Sequence, residues 1–173
     1  MTLQTILFDL DGTLLDSAPG LMTSTNTALA RCGCPPRSLA QITAAMGNGM
    51  ADLIARSLPG GAEDPRFAAC FDAFQEAYQS DMFTGSAPYP GILELLEALG
   101  SRGCRLAVVS NKRDGAVKAL CRQFFGERIA VAIGERPGVS RKPAPDSALT
   151  ALQELGMPAQ TAAYVGDSEV DIA

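Results

Sequence analysis

The stretch Phe8-Asp9-Leu10-Asp11-Gly12-Thr13-Leu14 decides how this chain is read. Ile6, Leu7 and Phe8 before it form a continuous apolar run, as expected of a strand buried on both faces, and Gly12-Thr13 after it marks a sharp exit. Asp9 and Asp11 therefore stand where a hydrophobic strand ends. Residues i and i+2 of a strand share a face, so the two carboxylates converge on one point if strand geometry continues through Leu10. Like charges that close repel unless a cation or a shared proton relieves them. A solvated Asp-Gly turn accounts for Asp11 and Gly12 but leaves Asp9 unexplained.

Outward from this stretch, composition sets bounds. The chain has 173 residues, 47% of them hydrophobic, which suits one folded domain or a core with a modest insertion. Its formal net charge of −5 offers no broad basic face, so neither nucleic acid nor an anionic membrane is an expected partner. No apolar run approaches the roughly 18 residues of a membrane span. Thr2-Leu3-Gln4-Thr5 lacks the basic start of a secretion signal, and a cytoplasmic protein is expected. The cysteines are Cys32, Cys34, Cys70, Cys104 and Cys121, and Cys32-Gly33-Cys34 has no second pair or histidine to complete a zinc site. They are expected to be reduced core thiols. Histidine is absent, which excludes every mechanism needing a histidine base. Lysine occurs only at Lys112, Lys118 and Lys142.

After the first strand (residues 3–9) the period changes. Leu21, Thr25, Ala28, Leu29 and Cys32 recur at helical spacing, with Ser17 as the expected N-cap and Pro19 in the first turn. Further helices are expected near Ser38–Met46 and Met50–Leu58, and a clearer one through Phe67, Cys70, Phe71, Phe74 and Tyr78. Residues 16–83 thus form an all-helical insertion, and residues 1–15 with 84–173 the remaining core. Beyond the connector Thr84–Pro90, strand and helix alternate. Apolar strands are expected at Cys104–Ser110, Ile129–Ile133 and Ala162–Val165, with a Gly/Pro loop from Gly134 to Ala144. This alternation predicts an α/β, Rossmann-like parallel sheet with helices on both faces, whose site lies at the carboxyl ends of the strands.

Those ends carry a coherent polar set: Asp9 and Asp11, then Ser110-Asn111-Lys112, Arg141-Lys142-Pro143, and Asp167-Ser168 with Asp171. Carboxylates can bind a hard divalent ion through oxygen. A hydroxyl, backbone N–H groups and a lysine can hold phosphate oxygens. An aspartate can attack phosphorus. Each piece also has a plainer reading: Ser110-Asn111 as a turn, Lys142 as a solvated loop charge, Asp167-Ser168 as a helix cap.

With Asp9-Leu10-Asp11-Gly12-Thr13-Leu14, Val108-Val109-Ser110-Asn111-Lys112, Arg141-Lys142-Pro143-Ala144-Pro145-Asp146 and Val165-Gly166-Asp167-Ser168-Glu169-Val170-Asp171 in this order, the chain resembles the haloacid dehalogenase superfamily. It resembles the phosphatase branch with a helical cap inserted after the first motif, and within it is similar to phosphoglycolate phosphatases. The weaker part of the likeness is Met46-Gly47-Asn48-Gly49-Met50-Ala51-Asp52-Leu53-Ile54, which resembles their substrate-facing loop.

The resemblance implies a Mg²⁺-dependent phosphatase acting on a small phosphorylated metabolite, 2-phosphoglycolate first, as a monomer or homodimer. It implies Asp9 as nucleophile and Asp11 as acid and then base. Mg²⁺ is expected on Asp9, the Asp11 carbonyl and Asp167, with Asp171 in support. Phosphoryl oxygens are expected on Ser110 and the backbone of Leu10 and Asn111, with Lys142 balancing charge. Asn48, and with it Arg56, is expected to face the substrate; a solvated Arg56 is the competing reading. A phosphonoacetaldehyde-type Schiff base is not expected, since residues 16–83 contain no lysine. A β-phosphoglucomutase-like mutase, a pyrophosphatase and a catalytically inactive binding protein remain open. Family members continue past the fourth motif, whereas Ile172-Ala173 ends this sequence in the first turn of its helix, so a truncated chain with exposed apolar surface is expected.

Overall fold

Thr5–Phe8 forms β1, and every residue of it is buried. The structure, a computed structural model, describes residues 3–171. Expectations resting on Thr2 and on the Ile172-Ala173 end lie outside the described residues. Two compact units make up the chain: Met1–Asp16 with Ala87–Ala173, and Ser17–Ser86.

In the first unit β1 lies between parallel neighbours. After it come β2 (Leu15–Asp16), β3 (Ala87–Pro88), β4 (Arg105–Arg113), β5 (Val131–Glu135) and β6 (Ala162–Val165). The main sheet runs β5-β4-β1-β6, and Phe8 stands level with Val108 on one side and Val165 on the other. The chain steps from β1 to β4 to β5, then returns to the far side of β1 as β6. Its order reverses beside β1, where open parallel sheets hold their ligands. Leu7, Ala107, Val109 and Ile133 share one sheet face with Ala151 and Leu152 of the helix Asp146–Leu155. The alternate residues Ile6, Phe8, Leu106 and Val108 are buried on the opposite face. The helices Ile92–Ser101 and Asp114–Phe125 pack against β4, the second also against β5. The α/β sheet with helices on both faces is thus present.

β4 continues through Arg113 rather than ending at Ser110, and its register with β5 slips between Val109 and Arg113. This bulge turns Ser110, Asn111 and Lys112 into the interior, where all three are buried. β5 includes Gly134, placed in a loop from composition. A Cβ at Gly134 would stand 2.6 Å from the Asp114 nitrogen and 2.6 Å from the Lys112 carbonyl, so only glycine lets the strand pass this corner.

The Ser17–Ser86 unit holds four α-helices, Ala18–Arg31, Leu39–Ala45, Met50–Ser57 and Phe67–Ser80. The first and last pack together, and Ala28, Leu29, Ile42, Ile54, Cys70 and Phe74 are fully buried. Ser38 and Gln41 form a capping box at the second helix. Ser17, the expected cap of the first, makes no capping hydrogen bond; Pro19 in the first turn already removes one orphan N–H. All five cysteines are free thiols, and burial pushes Cys70 and Cys121 up to about 12. No helix among the described residues is long and apolar enough to cross a membrane.

Candidate active site

Asp9 is the first residue past β1 and is 4% exposed. Its N–H donates to the Val165 carbonyl at 2.9 Å, tying it to the end of β6. Its Oδ1 accepts from the Leu10 N–H at 2.7 Å and lies 2.9 Å from Lys142 Nζ. Burial raises its pKa from 3.8 to about 6; Lys142 opposes the rise, and Asp171 and Asp11 add to it.

Strand geometry does not continue through Leu10. The chain bends there, and Leu10 is fully buried while its carbonyl accepts from the N–H groups of Leu14 and Leu15. Asp9 and Asp11 consequently take separate partners. Asp11 Oδ2 lies 3.0 Å from Lys112 Nζ, at the bulged end of β4. Two lysines thus divide the two carboxylates, Lys142 for Asp9 and Lys112 for Asp11. Sequence reading gave Lys112 no role, because a lysine after a strand reads as solvated; here it is 4% exposed.

Lys142 has three donors and three partners: Asp9 Oδ1 at 2.9 Å, Asp171 Oδ1 at 2.7 Å and the Tyr164 hydroxyl at 3.1 Å. It is not a solvated loop charge. Asn111 fixes its backbone reciprocally, accepting from the Lys142 N–H at 2.9 Å and donating to the Lys142 carbonyl at 3.2 Å. Tyr164, within β6, was missed because a tyrosine inside an apolar strand reads as core. Its hydroxyl lies 3.1 Å from Asp171 Oδ1 and 3.2 Å from the Val109 carbonyl. Burial and the surrounding carboxylates push this phenol up, so it stays protonated.

Asp167 Oδ1 accepts from Thr13 Oγ1 at 2.8 Å. Gly12 has φ +85°, and a Cβ on it would collide with the Asp167 carboxylate. Gly12-Thr13, read as a chain exit, is therefore also the seat of Asp167. Asp171 Oδ2 accepts from the N–H of Ser168 at 3.0 Å and from its hydroxyl at 2.7 Å. At this 3₁₀ turn (Glu169–Asp171) the Asp171 carboxylate thus bonds back to Ser168, where the plainer reading makes Asp167-Ser168 the cap. Burial pushes the Asp171 carboxyl up, but its bonds to Lys142 and Ser168 outweigh this and hold it below the ordinary carboxylate range. Ser110 Oγ accepts from the Lys112 N–H at 3.3 Å.

Asp9, Asp167 and Asp171 each offer one carboxylate oxygen, all within 4.8 Å of one another. An all-oxygen set of this size fits a hard divalent cation such as Mg²⁺. The Asp11 carboxylate is not one of this group. In the helical unit Arg56 pairs with Asp52 at 2.8 Å and donates to the Ala44 carbonyl at 3.3 Å. Asn48 lies on the turn before Met50–Ser57.

Comparison with known proteins supplies context for this constellation. The sequence profile described as haloacid dehalogenase-like hydrolase matches residues 6–173. A phosphoglycolate phosphatase of Rhodospirillum rubrum is 36% identical over 97% of this chain and 73% of its own length. One from Cereibacter sphaeroides is 38% identical over 97% of this chain and 78% of its own. A solved structure from Lactobacillus delbrueckii subsp. bulgaricus, assigned as a phosphoglycolate phosphatase, aligns with a TM-score of 0.93 at 30% identity, covering 99% of this chain and 81% of that one.

Proposed function

The chain belongs to the haloacid dehalogenase-like hydrolase family, and we propose that it hydrolyses a small phosphate monoester, 2-phosphoglycolate first, through an aspartyl-phosphate on Asp9. The observation that carries this reading is the buried Asp9 carboxylate, held at 2.9 Å by Lys142 and grouped with Asp167 and Asp171. The relatives that bear the name phosphoglycolate phosphatase support the substrate class.

A carboxylate oxygen of Asp9 attacks phosphorus, and the bond from phosphorus to the leaving oxygen breaks. Asp11 gives its proton to that oxygen, then takes one from the water that attacks the aspartyl-phosphate, releasing phosphate and restoring Asp9. The Ser110 hydroxyl and the Asn111 N–H receive phosphoryl oxygens. The Leu10 N–H joins them only by exchanging its bond to Asp9 Oδ1. Lys142 offsets the charge of Asp9 and of the phosphoryl group, and fixed charges of this kind supply most of the acceleration in phosphoryl transfer. Asp9 and Asp167 would hold Mg²⁺ with the Asp11 carbonyl, supported by Asp171, and the ion would neutralise charge on the phosphoryl oxygens. Asn48 and Arg56 of the Ser17–Ser86 unit, read as a cap, are assigned to the leaving-group side.

The test is a kcat/KM panel with and without Mg²⁺ over 2-phosphoglycolate, β-glucose 1-phosphate, pyrophosphate and p-nitrophenyl phosphate. The expected result is Mg²⁺-dependent release with 2-phosphoglycolate preferred. No release from folded protein at any Mg²⁺ concentration would sink the enzyme reading. Conversion of β-glucose 1-phosphate to an isomer, rather than to glucose, would replace it with a mutase.

A further inference from the structure

Lys112 is nearly without solvent contact, at 4% exposure, and its Nζ lies 3.0 Å from Asp11 Oδ2. A lysine carries a strongly hydrated charge on a flexible stem, so burying it needs an opposing charge and fixes a side chain that would otherwise be mobile. The bulge in β4 is what turns it inward, and the Lys112 N–H donates to Ser110 Oγ at 3.3 Å, which anchors it within that bulge. Asp11 sits on a short turn, where the Gly12 N–H donates to the Leu15 carbonyl at 3.0 Å. The pair therefore joins a rigid strand end to the turn that leaves β1.

We propose that Lys112 is a positioning residue for Asp11: it grips the carboxylate by Oδ2 and sets where its other oxygen points. This rests on the assignment of Asp11 as the proton donor to the leaving group. Lys142 and Lys112 then have separate tasks. Lys142 serves the nucleophile and the phosphoryl group, whereas Lys112 serves the acid.

The assignment is tested by leaving groups. kcat/KM reports the first irreversible step, formation of the aspartyl-phosphate. Ethyl phosphate and 2-phosphoglycolate expel alkoxides that need a proton; 2,4-dinitrophenyl phosphate expels a phenolate that does not. A misplaced general acid forfeits part of the ~10²–10⁴-fold that such a group contributes. Lys112→Met is expected to lower kcat/KM at least ~30-fold on both alkyl esters, but no more than ~5-fold on the dinitrophenyl ester. In an Asp11→Asn background the same change is expected to leave the alkyl-to-aryl ratio within ~2-fold, because a residue acting through Asp11 has nothing further to lose.

An equal fall on all three esters assigns Lys112 to the phosphoryl group and overturns the proposal. A fall confined to 2-phosphoglycolate assigns it to the substrate carboxylate and overturns it as well, as does no fall at all. Asp11→Asn alone distinguishes failure of this role for Lys112 from failure of the assignment it rests on: if it lowers alkyl and aryl rates equally, Asp11 is not the acid. Should Lys112→Met fail to fold by far-UV circular dichroism, Lys112→Gln is read by the same panel and the same criteria.

Discussion

Asp9 is a charge placed where it costs stability. In the unfolded chain it gives up its proton near pH 4; in the folded one burial holds the proton until pH about 6. Between these values the folded state binds more protons, so stability falls as pH rises. The displacement from 3.8 to about 6 corresponds to about 3 kcal/mol at pH 7. Asp9→Asn mimics the protonated group. Without metal it is expected to be more stable than the parent at pH 7 by up to about 3 kcal/mol, to match it at pH 4, and to release no phosphate. Urea unfolding at both pH values in the presence of a chelator checks this, and a less stable variant at pH 7 would contradict it. Mg²⁺ at about 100 times its Kd adds about 2.7 kcal/mol to a protein that binds it only when folded. That gain is expected for the parent and largely absent from Asp9→Asn.

The β4 bulge shows how an element can matter more than its residues suggest. Asn111 is buried on it and satisfies both backbone groups of Lys142. Asn111→Ala orphans a buried N–H and a buried carbonyl, a loss of about 1–3 kcal/mol, and loosens the lysine. Chemical denaturation should show that loss, with kcat lowered about 10-fold or more because Lys142 is no longer aimed at Asp9. A second element-scale prediction concerns the loop before the helix Phe67–Ser80. The Arg66 guanidinium meets both oxygens of Asp64 at 2.8 Å, and the N–H groups of Arg66 and Gly60 also donate to it. These bonds hold the Asp64 carboxyl well below the ordinary carboxylate range. Its contribution is fully present above about pH 4 and is lost as pH falls below it. Asp64→Asn should therefore lower Tm at pH 7 and flatten the acid limb; parallel acid limbs would refute this. What was legible in the sequence follows from the same contrast. Ile6-Leu7-Phe8 and the stripe Cys70, Phe74, Tyr78 were readable because periodic apolar burial writes itself into sequence. The burial of Ser110, Asn111 and Lys112 was not, since polar residues after a strand look alike whether they bulge inward or leave as a loop. Tyr164 was hidden for the converse reason, an apolar ring within an apolar strand whose hydroxyl meets Lys142 and Asp171.

At the scale of the whole molecule, the chain leaves one unit and returns to it at almost the same point. β2 and β3 pair antiparallel, with Leu15 opposite Pro88 and Asp16 opposite Ala87. The helical unit Ser17–Ser86 thus hangs from the two ends of a ribbon that a two-residue turn could close. Each unit has its own buried residues, Leu7, Ala107, Val109, Ile133, Ala151 and Leu152 in one, Leu29, Ile42, Ile54 and Phe74 in the other. Lys142, Lys112 and Thr13, which pair with Asp9, Asp11 and Asp167, belong to the first. Replacing residues 17–86 by Asn-Gly is therefore expected to leave a folded α/β unit with a working but undiscriminating site. Mg²⁺-dependent hydrolysis of 2,4-dinitrophenyl phosphate should persist within about 100-fold of the parent. kcat/KM for 2-phosphoglycolate should fall at least about 100-fold further, because binding energy from non-reacting parts of a substrate is what specificity draws on. Equal losses on both esters from a folded variant would show that Ser17–Ser86 does not choose the substrate, and a variant without native far-UV circular dichroism would show that the α/β unit needs the helical one to fold.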